Sequence, residues 1–235
     1  TMEMASAAQS ANTALKDQQE TPQGELIVSA PVAFGSTWLV PRLGGFARKH
    51  PDMYLDLRLD DARDYDLLKL EAECAIRLTA ADKADLIQRK LGTVATNLYA
   101  APEYLKAHGM PRTPHDLDNH RIIAYGDDNS PLQEMSFASR VGRDDSPPRV
   151  AALKVNNVFA MLRAVDAGLG IADVPDYMAS TMPRLVKVLP DTVGPVFDLY
   201  FIYPSDLRRS KRVAAFRDFV TIETEILRRP AMRHT

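Results

Sequence analysis

The chain has 235 residues, of which 46% are hydrophobic and 26% are charged, and its formal net charge is −2 at pH 7. This length suits one large domain or two modest ones, and the composition is that of a globular protein. The small net charge excludes a polyanion-binding role for the chain as a whole, the single cysteine excludes an internal disulfide, and no apolar run is long enough to span a bilayer.

Residues 1–23 differ in character from the rest. Met4, Ala7, Ala11 and Leu15 recur at helical spacing and predict a helix with a weak apolar stripe, which the Thr-Pro-Gln-Gly segment at 21–24 ends. Such a helix has no core of its own. Docking elsewhere, pairing with a partner helix and fraying therefore all remain open.

The stretch from Gly24 to Pro51 predicts a strand, a turn and a helix. Glu25–Ser29 is short and apolar, and Ser36 and Thr37 are candidate N-caps for the helix that follows. A helix that begins directly after a strand directs its N–H groups and positive dipole end beyond the strand, which suits an anion or a polar group. An ordinary βα unit without a ligand explains the same pattern.

The following elements extend this unit into a β-α-β-α-β series. Met53–Leu59 alternates as a strand, Tyr65–Ala72 is predicted to be a short helix, and Cys74–Arg77 is a buried strand. This order favours a mostly parallel sheet with helices on its faces.

The second half repeats strand and helix signals around a loop-rich segment at 126–149. Asn156 and Asn157 are predicted caps for a helix that starts near Val158. Further predicted elements are strands at 86–91, 95–101, 121–125, 133–137, 151–155, 170–174, 185–189 and 197–203, and helices at 103–108, 114–117, 175–178 and 205–228.

Six segments, in order, resemble the effector-binding domain of LysR-type transcriptional regulators, over about residues 24–226. They are GELIVSAPVAFG, PRLGGFARKHPDMYLDLRL, YDLLKLEAECAIR, LYAAPEYLKAHGMPRTPHDLDNHRIIAY, NNVFAMLRAVDAGLGIADVPDYM and LYFIYPSDLRRSKRVAAFRDFV. The sequence departs from the family pattern at Glu71 and Glu73, where Gly and Asp are frequent. It departs again at Asp173, where the family usually has Leu.

The resemblance implies an α/β fold of two Rossmann-like subdomains with a hinge and a central cleft, like type 2 periplasmic binding proteins. Subdomain I is expected at 24–101 and 203–230, subdomain II at 102–202, and a remnant of a linker helix at 1–23. The family also carries an N-terminal winged helix-turn-helix, which is not visible in this sequence. DNA binding is therefore expected only of a longer protein.

The same resemblance, combined with residue chemistry, gives the candidate ligand-binding residues. The turn after the first strand would supply N–H groups and hydroxyls, and Arg77 could clamp a carboxylate or pair with Asp60, Asp61 or Asp64. Asp173 would bring a carboxylate near the cleft, pair with an Arg or point elsewhere. The full set is Pro31, Val32, Phe34, Ser36, Thr37, Asp61, Arg63, Arg77, Tyr125, Asn156, Asn157, Asp173 and Tyr203.

The predicted function is effector sensing by binding, without catalysis. The sequence has no nucleophile elbow, phosphate loop or dinucleotide fingerprint, and its histidines lack metal-ligand spacing, so no cofactor or metal is expected. The resemblance implies a cytoplasmic homo-oligomer that pairs through helices near 37–49 and 158–166 and is tetrameric when full length. The alternatives are a solute-binding protein of a transport system and an enzyme of this fold.

Overall fold

A computed structural model describes residues 21–61, 65–126, 132–143 and 146–228. Most of the expected linker-helix remnant, residues 1–20, lies outside this range. Within the described residues, no helix has the length and apolarity needed to cross a membrane. The chain forms two compact units, the first of residues 1–93 and 198–235 and the second of residues 94–197. The divisions expected from the family resemblance are at 101/102 and 202/203.

The helices and strands follow one another along the chain, with 3-10 turns between several of them. They are β1 (Gly24–Ala30), α1 (Val32–Phe34), α2 (Leu43–Lys49), β2 (Met53–Leu59), β3 (Cys74–Arg77), β4 (Leu86–Ala100), α3 (Pro102–His108), β5 (Ile123–Tyr125), α4 (Phe137–Arg140), β6 (Leu153–Val155), α5 (Val158–Asp166), β7 (Ala172–Pro175), α6 (Asp176–Ala179), β8 (Val186–Lys187), β9 (Val196–Pro204) and α7 (Lys211–Glu223).

The sheet of the first unit is built around β1. This strand pairs in parallel with β2 along its whole length, from Gly24 opposite Met53, and in parallel with β3. β9 is antiparallel to β3. The predicted parallel order therefore holds for β1, β2 and β3, but the returning strand makes the sheet mixed. Phe201 of β9 and Phe216 of α7 are fully buried and pack with their ring centroids 6.2 Å apart.

The second unit has two sets of strands. β7 and β8 are both antiparallel to β4, and β5 pairs in parallel with β6. Its core contains Leu98, Tyr104, Leu117, Ile122 and Ile171, all with 2% or less of their surface exposed. β4 and β9 each contain a boundary between the units, so the chain passes from one unit to the other within these two strands.

The structure corrects the elements predicted at 65–72, 86–101 and 133–137. Residues 65–72 form hydrogen-bonded turns and no helix, because Oδ1 of Asp66 accepts the N–H groups of Leu68 and Lys69 and so competes with helical bonding. The two strands predicted at 86–91 and 95–101 are one continuous strand, Leu86–Ala100, in which Gly92 accommodates Leu227, 3.2 Å from where a Cβ would lie. The predicted strand at 133–137 is helical.

The final predicted helix, 205–228, is divided into three parts. A 3-10 turn at Ser205–Arg209 precedes α7, and Ser210 caps α7 by accepting the N–H of Val213 at 3.4 Å. A second 3-10 turn covers Thr224–Arg228. Ile226, in this last turn, is 64% exposed, whereas Arg212, near the start of α7, is buried.

Candidate functional site

The helical segment after β1 begins earlier than the sequence predicts. α1 starts at Val32, directly after Pro31, and its N-terminal group is capped by a distant residue: the N–H of Val32 donates to Oδ1 of Asp61 at 2.9 Å. Ser36 and Thr37 are therefore not N-caps. Ser36 lies inside the helical segment, where its hydroxyl donates to the carbonyl of Val32 at 2.6 Å.

Asp61 is held in a partly desolvated position just beyond the end of β2. Desolvation raises the pKa of its carboxyl, the bond from the Val32 N–H opposes this shift, and the neighbouring Asp60 adds to it. Three of the predicted site residues, Pro31, Val32 and Asp61, are thus brought together where β1 and β2 end. A further hydrogen bond joins the ends of β1 and β2, because the Asp60 N–H donates to the Ala30 carbonyl at 3.2 Å.

A π-helical turn over Gly35–Leu39 follows α1 and shapes the next part of this region. Turns of this type occur frequently at functional sites. Trp38 stacks on Phe34 with ring centroids 4.8 Å apart, and both are almost fully buried. Oγ1 of Thr37 is buried and has no hydrogen-bond partner within the described part of the chain, so a polar group at this position lacks the bond that buried hydroxyls normally make.

Arg77 ends β3, next to β1 in the same sheet. It donates from Nη1 to Oγ of Ser29 at 3.0 Å and from Nη2 to the carbonyl of Tyr65 at 3.3 Å. These bonds link the end of one strand to its neighbour and to the turn at 65–72. The predicted site residue Arg63, and Asp64 as a possible partner of Arg77, lie outside the described residues.

A cavity of about 420 Å³ lies beside Arg77, within the first unit. Sequence patterns do not reveal its walls, because they come from the turn at 65–72, where the pattern predicts a helix, and from a polar segment between two strands. The small, polar sequence Thr-Ala-Ala-Asp-Lys at 79–83 was the available signal. The lining residues are Tyr65, Asp66, Leu67, Leu68, Arg77, Thr79, Ala80, Ala81, Asp82, Lys83, Leu86 and Ile202.

The start of α5 is the main polar feature among the predicted residues of the second unit. Oδ1 of Asn157 accepts the N–H of Ala160 at 2.9 Å, so the predicted N-cap at Asn157 is confirmed. Asn156 precedes it and is exposed. The helix carries Val158, Met161, Leu162 and Val165 on its buried face.

Asp173 is fully buried in the second unit, beneath α4. Its Oδ1 accepts the N–H of Ala138 at 3.2 Å, and its Oδ2 has no partner within the described residues. Burial raises the pKa of Asp173 to about 8, although N–H groups that include that of Ala138 oppose the shift. Its carboxyl is therefore mostly neutral at pH 7, which is how a buried acid avoids the cost of an unpaired charge.

The two tyrosines among the predicted site residues, Tyr125 and Tyr203, are both buried in the core. Tyr125, in the second unit, is 3% exposed, and its carbonyl accepts the hydroxyl of Ser136 at 3.1 Å. Tyr203, in the first unit, is 5% exposed and lies against Phe201 with ring centroids 5.8 Å apart. Packing is thus a role that both side chains already fill.

Comparison with known proteins identifies relatives along nearly the whole chain. A family model described as the LysR substrate binding domain matches residues 19–224. An HTH-type transcriptional regulator of Xanthomonas campestris is 30% identical over 215 residues, which cover 89% of this chain and 62% of that protein. The uncharacterized HTH-type transcriptional regulator YhjC of Escherichia coli is 31% identical over 201 residues, which cover 84% and 67%. The chain therefore spans about two thirds of the length of these relatives.

Solved structures agree on the fold. CrgA from Neisseria meningitidis, a LysR-type transcriptional regulator, aligns with a TM-score of 0.77 at 21% identity, covering 95% of this chain and 76% of that one. The effector domain of AmpR from Pseudomonas aeruginosa aligns with a TM-score of 0.69 at 20% identity, covering 86% and 96%. The fold is thus the α/β fold of two subdomains seen in periplasmic binding proteins, and the relatives do not favour a transport role. The chain belongs to the LysR substrate-binding-domain family, the effector-binding domains of LysR-type transcriptional regulators.

Proposed function

We propose that this chain binds a small effector reversibly, leaves it chemically unchanged, and thereby regulates a DNA-binding protein of which it is part. The observation that carries this proposal is the match of residues 19–224 to the LysR substrate binding domain. Candidate polar groups for holding the effector are, in the first unit, those at the turn between β1 and α1 and, in the second unit, those at the capped start of α5. The influence of the effector would come from a higher affinity for one arrangement of the subdomains than for another.

The chemistry of the first unit supports this assignment. Thr37 offers a buried hydroxyl oxygen without a hydrogen-bond partner in the described residues. Asp61, just after β2, is partly desolvated, and Arg77 ends β3, on the other side of β1 in the same sheet. A ligand that bonds to Thr37 would satisfy a group whose burial otherwise costs free energy. These residues support the proposed site through their chemistry.

We further propose that the full-length protein is a cytoplasmic homo-oligomer, a tetramer that binds DNA through an N-terminal winged helix-turn-helix. Pairing of this domain would use the helical segments at 37–49 and 158–166, side by side and antiparallel. Two exposed apolar side chains support this assignment, because Val40 is 46% exposed and Phe159 is 42% exposed. Apolar side chains on facing helices gain free energy when pairing removes them from water.

A ligand screen tests the proposed function directly. Aromatic acids, amino acids and sugar acids would be added to the chain, and the melting temperature recorded, because a ligand that binds only the folded state stabilises it by about 2.7 kcal/mol at one hundred times its dissociation constant. Trp38 is the single tryptophan and lies in the π-helical turn, so its fluorescence gives a second readout from the proposed site. If none of the aromatic acids, amino acids and sugar acids changes the melting temperature or the Trp38 fluorescence, the proposal is contradicted.

A matched pair of variants locates the effector. Thr37→Val removes the hydroxyl at the proposed site, and Thr221→Val removes a hydroxyl in α7 that is likewise buried without a partner in the described chain. Loss of one hydrogen bond to the ligand should weaken binding about fivefold or more in Thr37→Val. Thr221→Val should bind as the unaltered chain does. Equal affinities for the two variants would place the effector elsewhere.

A further inference from the structure

The carboxyl of Asp173 attaches the start of α4 to β7. Its Oδ1 accepts the N–H of Ala138 at 3.2 Å. The side chain has no exposed surface, and Oδ2 has no hydrogen-bond partner within the described residues. A buried oxygen in this position costs free energy, more so when it carries a charge. α4 is thus held by a group whose burial is itself unfavourable.

A second side chain, Arg149, holds the end of α4. Its Nη1 donates to the carbonyls of Val141 at 2.8 Å and Ala138 at 3.2 Å, and its Nε donates to Oδ1 of Asp118 at 2.7 Å. Arginine stays charged at every pH near neutrality. Hydrogen bonds from Arg143 and then Arg149 lower the pKa of Asp118, so that this carboxylate stays charged as well. The attachment through Arg149 is therefore insensitive to pH.

The turn before α4 reaches a predicted ligand-binding residue. Ser136 donates its hydroxyl to the carbonyl of Tyr125, the last residue of β5, at 3.1 Å. β5 pairs in parallel with β6, with Tyr125 opposite Val155, and Asn156 and Asn157 follow β6 directly. The turn is thus attached at the edge of the two-stranded sheet where the predicted site residues of the second unit lie.

The charge state of Asp173 is set by its burial. Desolvation raises its pKa, and backbone N–H groups oppose the shift. Arg149 and the ionisable side chains on the elements that pack against β7 do not contribute appreciably. Within the described residues, those side chains are Tyr99, Tyr125, Glu134, Arg140, Arg163, Asp166, Asp176 and Tyr177.

We propose that Asp173 and α4 form a proton-dependent latch in the second unit. The protonated carboxyl holds the start of α4 against β7, and loss of the proton favours a form in which that start moves away while Arg149 keeps the end in place. Only in this open form does water reach the charge. Opening also exposes Met135, which is 1% exposed in the closed form, so the open form is a minor population.

The latch goes beyond the proposed function, because it needs no effector. Opening would nevertheless affect the proposed site, since Ser136 belongs to the turn that moves and its bond to the Tyr125 carbonyl would be released. The pH would then alter the polar groups that the second unit offers to a ligand.

The size of the effect follows from the two pKa values of Asp173. The pKa is about 8 in the closed form and returns toward 3.8 when water reaches the carboxyl. The closed form is therefore most favoured below pH 3.8 and loses this advantage as the pH rises to about 8. The open population should grow about tenfold for each pH unit in this window, which is about a hundredfold between pH 5 and pH 7.

Amide hydrogen exchange, followed by NMR on the whole chain, tests the latch. The quantity compared is the protection factor, which is corrected for the intrinsic effect of pH on exchange. The factor of the Ala138 amide should fall about a hundredfold from pH 5 to pH 7 and should not respond to dilute urea, because a local opening exposes little surface. The Met161 amide in α5, bonded to the Asn157 carbonyl at 3.1 Å, should be better protected and should respond to urea.

Two variants assign the effect to Asp173, and one serves as the control. Asp173→Asn keeps an acceptor for the Ala138 N–H, and Asp173→Leu introduces the residue usual in the family and gives a second test if the first variant folds poorly. In both, the protection factor of Ala138 should be the same at pH 5 and pH 7. Asp191→Asn, which changes an exposed carboxyl, should behave as the unaltered chain does.

Three results would overturn the proposal. The first is a protection factor of Ala138 that is constant from pH 5 to pH 7 in the unaltered chain. The second is a fall shared by Met161 with the same response to urea, which would mean that Asp173 ionises only when the whole domain unfolds. The third is a fall that persists in the Asp173 variants, which would assign the effect to another group.

Discussion

Replacing Asp173 with Asn should flatten the dependence of stability on pH. Asp173 is fully buried, and its pKa is raised from 3.8 to about 8, chiefly by desolvation. The folded chain therefore keeps this proton at pH values where the unfolded chain has lost it. The stability that the proton provides is fully present below pH 3.8, falls as the pH rises, and is lost above about pH 8.

The size of the effect follows from the width of this window. Each pH unit inside it costs about 1.4 kcal/mol of unfolding free energy, so the two units between pH 5 and pH 7 cost about 3 kcal/mol. That is a large part of the roughly 5–15 kcal/mol that holds a typical domain together. Asn keeps an oxygen that accepts the Ala138 N–H, and its amide nitrogen adds a cost of about 1–3 kcal/mol that is the same at every pH.

The assay is urea denaturation at pH 5, 6, 7 and 8 for the unaltered chain, Asp173→Asn and the control Asp191→Asn, which changes an exposed carboxyl. The unfolding free energy of the unaltered chain and of the control should fall with rising pH by about 3 kcal/mol more than that of Asp173→Asn between pH 5 and pH 7. Parallel curves for all three proteins would contradict this prediction, because they would mean that Asp173 ionises in the folded chain as it does in water.

Two further predictions concern a buried ion pair and a surface. Nη2 of Arg212 lies 2.8 Å from Oε1 of Glu73, and both side chains are buried. Arg212→Met should therefore lower the unfolding free energy by about 3–5 kcal/mol, because it leaves a buried carboxylate unpaired, and adding Glu73→Leu should recover most of the loss. Equal losses of unfolding free energy in the single and double variants would contradict this expectation. In sedimentation equilibrium, the unaltered chain should dimerise with rising concentration. Val40→Glu and Phe159→Glu should each weaken the dimer about tenfold or more, whereas Val150→Glu, at a residue 94% exposed outside both helices, should not; the same effect in all three would refute the proposed pairing.

Sequence patterns predict the elements whose signals are local. Met53–Leu59 alternates apolar and polar residues and forms β2 with those bounds, and Asn157 precedes an apolar helical stripe and caps α5. Both patterns depend only on residues a few positions apart. The resemblance to a family adds the two-subdomain fold, which no short pattern contains, because the return of β9 to β3 joins residues more than one hundred positions apart.

The incorrect predictions arise where distant or competing hydrogen bonds decide the structure. Asp61 caps α1 from the end of β2, a pairing that no pattern around Val32 reveals, and so the local sequence predicts the N-cap at Ser36 or Thr37 instead. Asp66 bonds to the N–H groups that follow it and turns the chain where an apolar pattern predicts a helix. Those turns form part of the cavity wall, so the cavity was missed for the same reason.

The sequence does not show how deeply the side chains of the candidate site residues are buried. Asp173 stands out as an acid within an apolar strand, but only the packing of α4 over β7 shows that its carboxyl is enclosed and mostly neutral. Tyr125 and Tyr203 likewise read as either core or ligand-facing residues, and their small exposed fractions appear only in the folded chain. Side-chain environment depends on contacts between segments, which local patterns do not encode.

As proposed above, this chain binds a small molecule and releases it unchanged. The most direct measurement is isothermal titration with a ligand from the screen, followed by mass spectrometry of the ligand recovered after prolonged incubation. We expect saturable binding, weakened in Thr37→Val, and a recovered ligand of unaltered mass. A ligand converted to a product, or heat of binding that never saturates, would contradict it.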